Sequence, residues 1–148
     1  MAELWKDLPA NPDAYEVSSL GRIRKKTDGK VLQPARGKRE EYCYARIRKS
    51  NGRFTTVQVH REVAKAFCPK APDQTQVHHK NGVKYDNRAE NLEWLSPKEH
   101  GAKDAELRHK TGRATKAREN AAARQEIVGR YSEAEKFWLA KRWPPEAP

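Results

Sequence analysis

Three of the five histidines of the 148-residue chain lie within one stretch, Gln76–His100, and this stretch constrains the fold more than any other. Its first part, Gln76–His79, leads into a turn at Asn81-Gly82. The apolar run Leu92–Leu95 then has the length and composition of a second strand that pairs back on the first. The pattern therefore predicts a strand, a loop and a second strand.

A helix is predicted to follow the second strand directly. Ser96 is a favoured N-cap residue, and Pro97 occupies the first helical position, where proline is common. Glu99 lies three residues after the cap and completes a capping box. His100 is therefore expected in the first turn of this helix.

This order of elements predicts that histidines from two elements converge. A short helix laid across two paired strands would bring the imidazole of His100 near the strand that carries His78 and His79. Adjacent side chains of a strand point to opposite faces, so His78 and His79 cannot share one role. One of them is expected to face the helix and a metal ion, and the other to face across the cleft.

These residues carry a resemblance to a known family. The run His-His-Lys-Asn-Gly at residues 78–82, the segment Asp86–Trp94 and the segment Ser96–His100 together resemble the HNH endonuclease motif, and the match is close to that of phage and intron-encoded homing-type members. The resemblance implies a ββα-metal fold that hydrolyses a DNA phosphodiester with one divalent cation.

The resemblance also implies roles for four residues. By position, His79 corresponds to the general base, and Asn91 to the residue that orients this base or braces the loop. His78 and His100 correspond to the metal ligands, where the family more often has Asp or Asn at the first position and often Asn at the second. We expect one divalent cation, Mg²⁺ or Mn²⁺. Because imidazoles suit first-row transition ions better than magnesium, Ni²⁺, Co²⁺ and Zn²⁺ are also compatible.

The N-terminal residues carry a second resemblance. Trp5, Tyr15–Ser19 and Gly21–Ile23 are similar to a short module found ahead of many HNH motifs in phage and homing nucleases. The resemblance therefore covers both the histidine-rich stretch and the start of the chain.

A β-hairpin is predicted between these two regions. The segments Glu41–Lys49 and Phe54–Val59 flank the turn sequence Ser-Asn-Gly at residues 50–52. One face of the hairpin interleaves tyrosine and arginine, as nucleic-acid surfaces do, although an ordinary solvent-exposed face explains the pattern equally well. A short helix over residues 60–67 follows, and His60 in it is expected to be a structural, hydrogen-bonded histidine.

The charge distribution indicates a polyanionic partner, and we expect DNA. The net charge is +11, and residues 21–74 carry fifteen Lys or Arg against five Asp or Glu, whereas residues 75–100 carry four of each. Positive charge thus flanks a nearly neutral centre, as a nuclease that contacts phosphates around its active site requires. The candidate DNA-contacting residues are Arg36, Lys38, Arg39, Tyr44, Arg46, Arg48, Lys80, Lys103, Arg108, Lys110 and Arg113.

Together these patterns predict an α+β fold in three parts. Residues 1–68 are expected to form a small antiparallel β module that contacts DNA and ends in the short helix. Residues 69–101 are expected to form the ββα-metal core, and residues 102–148 a basic helical extension. The predicted function is that of a metal-dependent DNA endonuclease of the homing or phage type, which cuts one strand or both.

A second hypothesis is a non-catalytic DNA-binding module stabilised by zinc. It would require Cys43, Cys68 and the histidines to converge, but the two cysteines lie 25 residues apart without a Cys-x-x-Cys pair, which argues against it. Both cysteines are instead expected to be buried thiols in a reducing compartment. The hypothesis of an RNA-binding protein would account for the positive charge but would assign no function to the clustered histidines.

No apolar run approaches the roughly 18 residues of a membrane span. We therefore expect no membrane partner and a cytoplasmic location. The sequence leaves open whether the chain acts as a monomer or as a homodimer.

Overall fold

The computed structural model describes residues 2–36 and 42–110. These residues form three antiparallel β units and two α-helices, so the predicted α+β class is confirmed. Most of the predicted C-terminal extension lies outside the described residues. None of the helices within the described ranges has the length and apolar character needed to cross a membrane.

The first unit is a four-stranded antiparallel sheet near the N-terminus. Its strands are β1 (Trp5–Asp7), β2 (Tyr15–Ser18), β3 (Ile23–Lys25) and β4 (Val31–Leu32), and they pair in chain order. Gly21, in the turn between β2 and β3, has φ +85°, a backbone conformation that other residues rarely adopt. This turn approaches the loop that follows the histidine-rich strand.

The second unit is a three-stranded antiparallel sheet that contains the predicted hairpin. It consists of β5 (Ala35–Arg36), β6 (Cys43–Arg48) and β7 (Phe54–Gln58), in that order. The alternation predicted for β6 is confirmed, since every second residue from Cys43 is buried while Arg46 and Arg48 are exposed.

Helix α1 (Val59–Phe67) follows β7 without a loop and is the central element of the core. It contacts strands of all three β units, including β2, β6, β7 and both strands of the third unit. Val63 and Ala64 on its inner side are fully buried. Burial of a valine side chain contributes about 1.5–3 kcal/mol, so this helix holds the units together mainly through apolar packing.

The third unit is the predicted strand–loop–strand–helix. Strands β8 (Gln76–His79) and β9 (Leu92–Leu95) pair antiparallel, and a short 3-10 turn precedes β9. Helix α2 (Pro97–Lys110) begins directly after β9. It runs through the predicted boundary at residue 101, and the division into three domains stays a prediction.

The predicted cap of α2 is confirmed in detail. The Ser96 hydroxyl accepts a hydrogen bond from the Glu99 amide at 3.4 Å, and a carboxylate oxygen of Glu99 accepts from the Ser96 amide at 2.9 Å. This is the reciprocal arrangement of a capping box, which stabilises the first turn of the helix. His100 is consequently held in that first turn.

Candidate active site and metal centre

Asn91 braces the loop between β8 and β9. Its side-chain amide donates to Asn81 Oδ1 at 3.0 Å and to the Asp86 carbonyl oxygen at 2.9 Å, and its Oδ1 accepts from the Asn81 amide at 3.1 Å. Of the two roles that the family resemblance left open for Asn91, these contacts match the loop brace. Its side-chain hydrogen bonds are made to the loop, and the partner of His79 is a different asparagine.

A buried carboxylate fixes the same loop from inside. Asp86 is fully buried and accepts from Arg88 Nε at 2.7 Å, from Arg88 Nη2 at 2.6 Å and from Asn81 Nδ2 at 2.9 Å. A buried charge is tolerated only when it is paired and hydrogen-bonded, and the two-pronged contact with a guanidinium supplies both. The loop is therefore rigid at the point where it approaches His79.

Asn87 holds the ring of His79. His79 Nε2 donates to Asn87 Oδ1 at 3.2 Å, and both residues are buried. Burial lowers the pKa of His79 to about 4, against the opposing effects of the Asn87 hydrogen bond and the Asp86 charge. The imidazole is therefore neutral at neutral pH, with its proton on Nε2 and a lone pair on Nδ1.

Two further aromatic rings pack around His79. The ring of His60 lies 5.3 Å from that of His79, and the ring of Tyr42 stacks on His60 at 4.7 Å between centroids. For His60 the predicted hydrogen bond is wrong at one nitrogen. Its buried Nδ1 has no hydrogen-bond partner among the described residues, and its ring is stacked on Tyr42.

His78 faces the opposite side of β8 and meets helix α2. The rings of His78 and His100 lie 5.3 Å apart and almost perpendicular. The expectation that His78 and His79 face different environments is therefore confirmed, and the convergence of His78 with His100 follows from the capped helix lying across the β8–β9 hairpin.

Asp104 joins the two histidines. One of its carboxylate oxygens lies 3.6 Å from His78 Nδ1, and the other lies 3.3 Å from His100 Nδ1. The three potential ligand atoms lie within 4.8 Å of one another. Burial lowers the pKa of His78, which keeps this imidazole neutral and able to donate its lone pair.

This donor set fits a divalent cation. Two imidazole nitrogens and one carboxylate oxygen are ligands that zinc and other first-row transition ions accept, and three protein ligands leave positions open for a substrate. Asp104 is 46% exposed, so the cluster opens to solvent on the side of α2. Three described side chains could therefore hold a metal ion: His78, His100 and Asp104.

The sequence interpretation missed Asn87 and Asp104. Asp104 had a readable signal, since it lies four residues after His100 on a helix whose start was predicted, and residues at that spacing share one face. The sequence contains no comparable signal for Asn87, because the approach of Asn87 to His79 depends on how the loop folds back.

The predicted DNA-contacting residues lie on several different elements of the fold. Arg46 and Arg48 are exposed on β6, on the face shared with Tyr44. Arg36 ends β5 and Lys110 ends α2. Three candidates lie outside the described residues: Lys38, Arg39 and Arg113.

Three other candidates already have protein partners. Lys103 pairs with Glu93 at 2.6 Å, Lys80 donates to the carbonyl oxygen of Glu90 at 3.0 Å, and Arg108 donates to the Asp104 carbonyl oxygen at 3.2 Å. Their contact with DNA stays a prediction.

Two family models match the chain. Residues 57–102 match the model described as HNH endonuclease, and residues 3–48 match the NUMOD4 motif. The chain thus contains an HNH endonuclease domain preceded by a NUMOD4 motif. The HNH match contains β8, β9 and the first turns of α2, together with α1. The resemblance of the N-terminal residues to a module that precedes HNH motifs is confirmed by the NUMOD4 match.

Known HNH endonucleases are similar over only part of their own length. Two proteins of Acanthamoeba polyphaga mimivirus, both named as uncharacterized HNH endonucleases, are 38% and 34% identical over 105 and 102 residues. These matches cover 71% and 67% of this chain but only 30% and 25% of the mimivirus proteins. The DNA endonuclease I-HmuI of Bacillus phage SP01 is 36% identical over 98 residues, which cover 64% of this chain and 53% of I-HmuI.

A solved structure extends the likeness to the fold. The structure described as DNA binding and cleavage by the HNH homing endonuclease I-HmuI aligns with a TM-score of 0.60 and 28% identity. The alignment covers 93% of this chain and 66% of the I-HmuI chain. This chain therefore shares its α+β architecture with I-HmuI.

Proposed function

We propose that this chain is a metal-dependent DNA endonuclease that hydrolyses phosphodiester bonds. One observation is the main support for the proposal: two adjacent residues of β8 point into two different environments. His79 is neutral, buried and held by Asn87, while His78 points the other way into a cluster with His100 and Asp104. A base and a cation site on neighbouring residues are the two parts that hydrolysis of a phosphodiester requires.

In this proposal His79 is the general base. Asn87 Oδ1 accepts the hydrogen of Nε2, which leaves Nδ1 free to take a proton from the attacking water. Asn91 and Asp86 act indirectly, since they hold the loop from which Asn87 reaches the ring.

His78, His100 and Asp104 would hold the divalent cation. When bound, the cation supplies positive charge that stabilises the phosphate and the departing 3′ oxygen. We propose Mn²⁺, Co²⁺, Ni²⁺ or Zn²⁺ as the tighter-binding ions, because magnesium prefers an all-oxygen shell. The Asp104 carboxylate adds a hard oxygen ligand that the two histidines alone lack, and it supports turnover with Mg²⁺ at higher concentration.

The zinc-stabilised module receives no support from the described residues. The cluster that could hold a metal contains no cysteine. Cys43 is buried in the core, and Cys68 is only half-buried, with its thiol directed at the carbonyl oxygens of Ala89 and Leu92 at 3.5 and 3.4 Å. Both thiols thus lie outside the histidine cluster.

The test uses the full chain, supercoiled plasmid and a series of divalent ions. We expect metal-dependent nicking that EDTA stops, with linear product in addition if two copies act together. The His79→Ala variant should lose cleavage by about 10²–10⁴-fold while it retains its affinity for DNA, because general-base catalysis contributes in the chemical step. Cleavage by His79→Ala at the wild-type rate, or loss of binding in parallel with cleavage, would contradict the assigned role.

A further inference from the structure

An exposed aromatic ring lies at the open end of the β6–β7 hairpin. Phe54 is 59% exposed, one of two large hydrophobic side chains, with Leu4, that the described part of the chain leaves in solvent to this extent. It stands directly opposite Arg48 in the register of the two strands. A single exposed hydrophobic side chain is common on protein surfaces, so the charged groups around Phe54 decide what the ring does.

Two guanidinium groups lie over this ring. The guanidinium carbon of Arg46 is 4.5 Å from the ring centroid of Phe54, and that of Arg48 is 5.7 Å away. Arg48 is further fixed by donation from its Nε to the Gly52 carbonyl oxygen at 2.9 Å. Both cations therefore have a defined position before any ligand arrives.

These two charges differ from two arginines of the first sheet. In the first sheet Arg22 pairs with Glu3 and Arg24 with Glu16. Within residues 2–36 and 42–110, no carboxylate forms an ion pair with Arg46 or Arg48. The hairpin end thus presents two positive charges that are positioned by an aromatic ring and are not neutralised by a described acid.

We propose that Phe54 is a platform that orders Arg46 and Arg48 as a clamp for the phosphates of duplex DNA. A guanidinium that lies on an aromatic face keeps its N–H edges available, and these edges match phosphate oxygens. Ordering the two side chains in advance reduces the entropy that binding would otherwise remove. The proposal rests on the proposed function only in its choice of DNA as the polyanion.

A direct contact between the ring and a DNA base is the competing interpretation. The platform requires the π-face of the ring, whereas a base or sugar contact requires mainly apolar surface. Phe54→Tyr keeps the π-face, and Phe54→Leu keeps apolar volume without it. The two variants therefore separate the interpretations.

The experiment measures binding of the full chain to a labelled DNA duplex by fluorescence anisotropy, in EDTA, over a range of salt concentrations. For Phe54→Leu we expect affinity to fall by about twofold to fivefold, in the range of cation–π contacts at exposed sites, with the salt slope unchanged because both charges remain. Arg46→Gln should lower the slope by about 0.9. Phe54→Tyr should bind like wild type, and Leu4→Ala is the control for loss of an exposed apolar side chain.

A double-mutant cycle between Phe54→Leu and Arg46→Gln completes the test. If the ring acts through the arginines, the two losses are less than additive, because either change alone already removes the contact between Arg46 and the ring. Wild-type affinity of Phe54→Leu, equal losses in Phe54→Leu and Phe54→Tyr, or full additivity would overturn the platform. Since binding is measured in EDTA, a wild-type chain that binds but never cuts would refute the nuclease function alone, and one that does not bind DNA would refute the clamp.

Discussion

Gly21 of the N-terminal sheet lies directly against Asn87, the residue that holds His79. A Cβ atom placed on Gly21 would lie 2.8 Å from Asn87 Cβ and 2.9 Å from the Asn87 carbonyl oxygen. The Ala89 amide donates to the Ser19 carbonyl oxygen at 2.8 Å and ties the same turn to the same loop. The NUMOD4 region therefore supports the loop that orients the proposed base. In our proposal the same region also contacts DNA.

The first prediction concerns this contact. Gly21→Ala should reduce both stability and cleavage, because an alanine at φ +85° costs about 1–2 kcal/mol of backbone strain and its methyl group would push on the Asn87 backbone. We expect a lower melting temperature and a cleavage rate reduced by about tenfold, which corresponds to about 1.4 kcal/mol in the barrier. Both are measured on the full chain well below its melting temperature.

Gly29→Ala is the matched control. Gly29 lies in the next turn of the same sheet with φ +66°, and nothing lies within 4 Å of a Cβ added there. This variant should show the backbone strain without the loss of cleavage. Equal cleavage by the two alanine variants would show that the turn at Gly21 does not position the active site.

The second prediction separates the two asparagines. Asn87→Ala should lower the cleavage rate about tenfold, because a lost hydrogen bond of about 1–1.5 kcal/mol frees the His79 ring. Asn87→Asp keeps the acceptor oxygen and should restore most of the rate. Asn91→Ala should chiefly lower the free energy of unfolding, since three loop hydrogen bonds are lost.

The measurements are single-turnover cleavage and urea unfolding of each variant. Slow cleavage by Asn87→Asp equal to that of Asn87→Ala would refute a positioning role for the acceptor. A normal unfolding free energy for Asn91→Ala would refute the loop brace.

The sequence was informative wherever the signal lay within one element. The cap at Ser96, the alternation along β6 and the opposite faces of His78 and His79 follow from backbone geometry alone, so they could be predicted. The contact between Asn87 and His79, the stack of His60 on Tyr42 and the approach of Gly21 each join separate elements. Such contacts depend on tertiary packing, which a single sequence without aligned relatives does not encode locally.

The third prediction concerns the metal centre. Asp104→Ala should weaken Mn²⁺ binding about tenfold or more, that is by about 1.4 kcal/mol or more, because it removes the one anionic ligand of the cluster. Titration calorimetry on the full chain without DNA measures this independently of cleavage. Glu106→Ala is the control, since it removes the same charge from the same helix outside the cluster. Equal Mn²⁺ affinity in the two variants would exclude Asp104 from the site.

The same centre allows a change of ion preference. Wild type should reach half-maximal cleavage at a lower concentration of Mn²⁺ or Ni²⁺ than of Mg²⁺. His78→Asp should move the preference toward Mg²⁺, because an anionic oxygen replaces an imidazole nitrogen. An unaltered preference in His78→Asp would remove His78 from the ligand set.

The last prediction follows from the buried ring of His60. Burial, together with the nearby His79 and Arg61, lowers the pKa of His60 from its ordinary value of 6.5 to about 3. The unfolded chain therefore binds a proton at this residue between those pH values while the folded chain does not. Stability is consequently complete above pH 6.5 and falls as the pH drops, by at most about 1.4 kcal/mol per pH unit for this group.

His60→Phe keeps a ring to stack on Tyr42 but cannot titrate. Urea unfolding in EDTA between pH 4.5 and 8 should give a shallower loss of stability in acid for this variant than for wild type. A part of the slope should persist, because the pKa of His79 is also lowered by burial, to about 4. At pH 8 the variant should be at least as stable as wild type, since the Nδ1 atom that lacks a partner among the described residues is gone. An identical slope in the two proteins would show that His60 is protonated as readily in the folded chain as in the unfolded one.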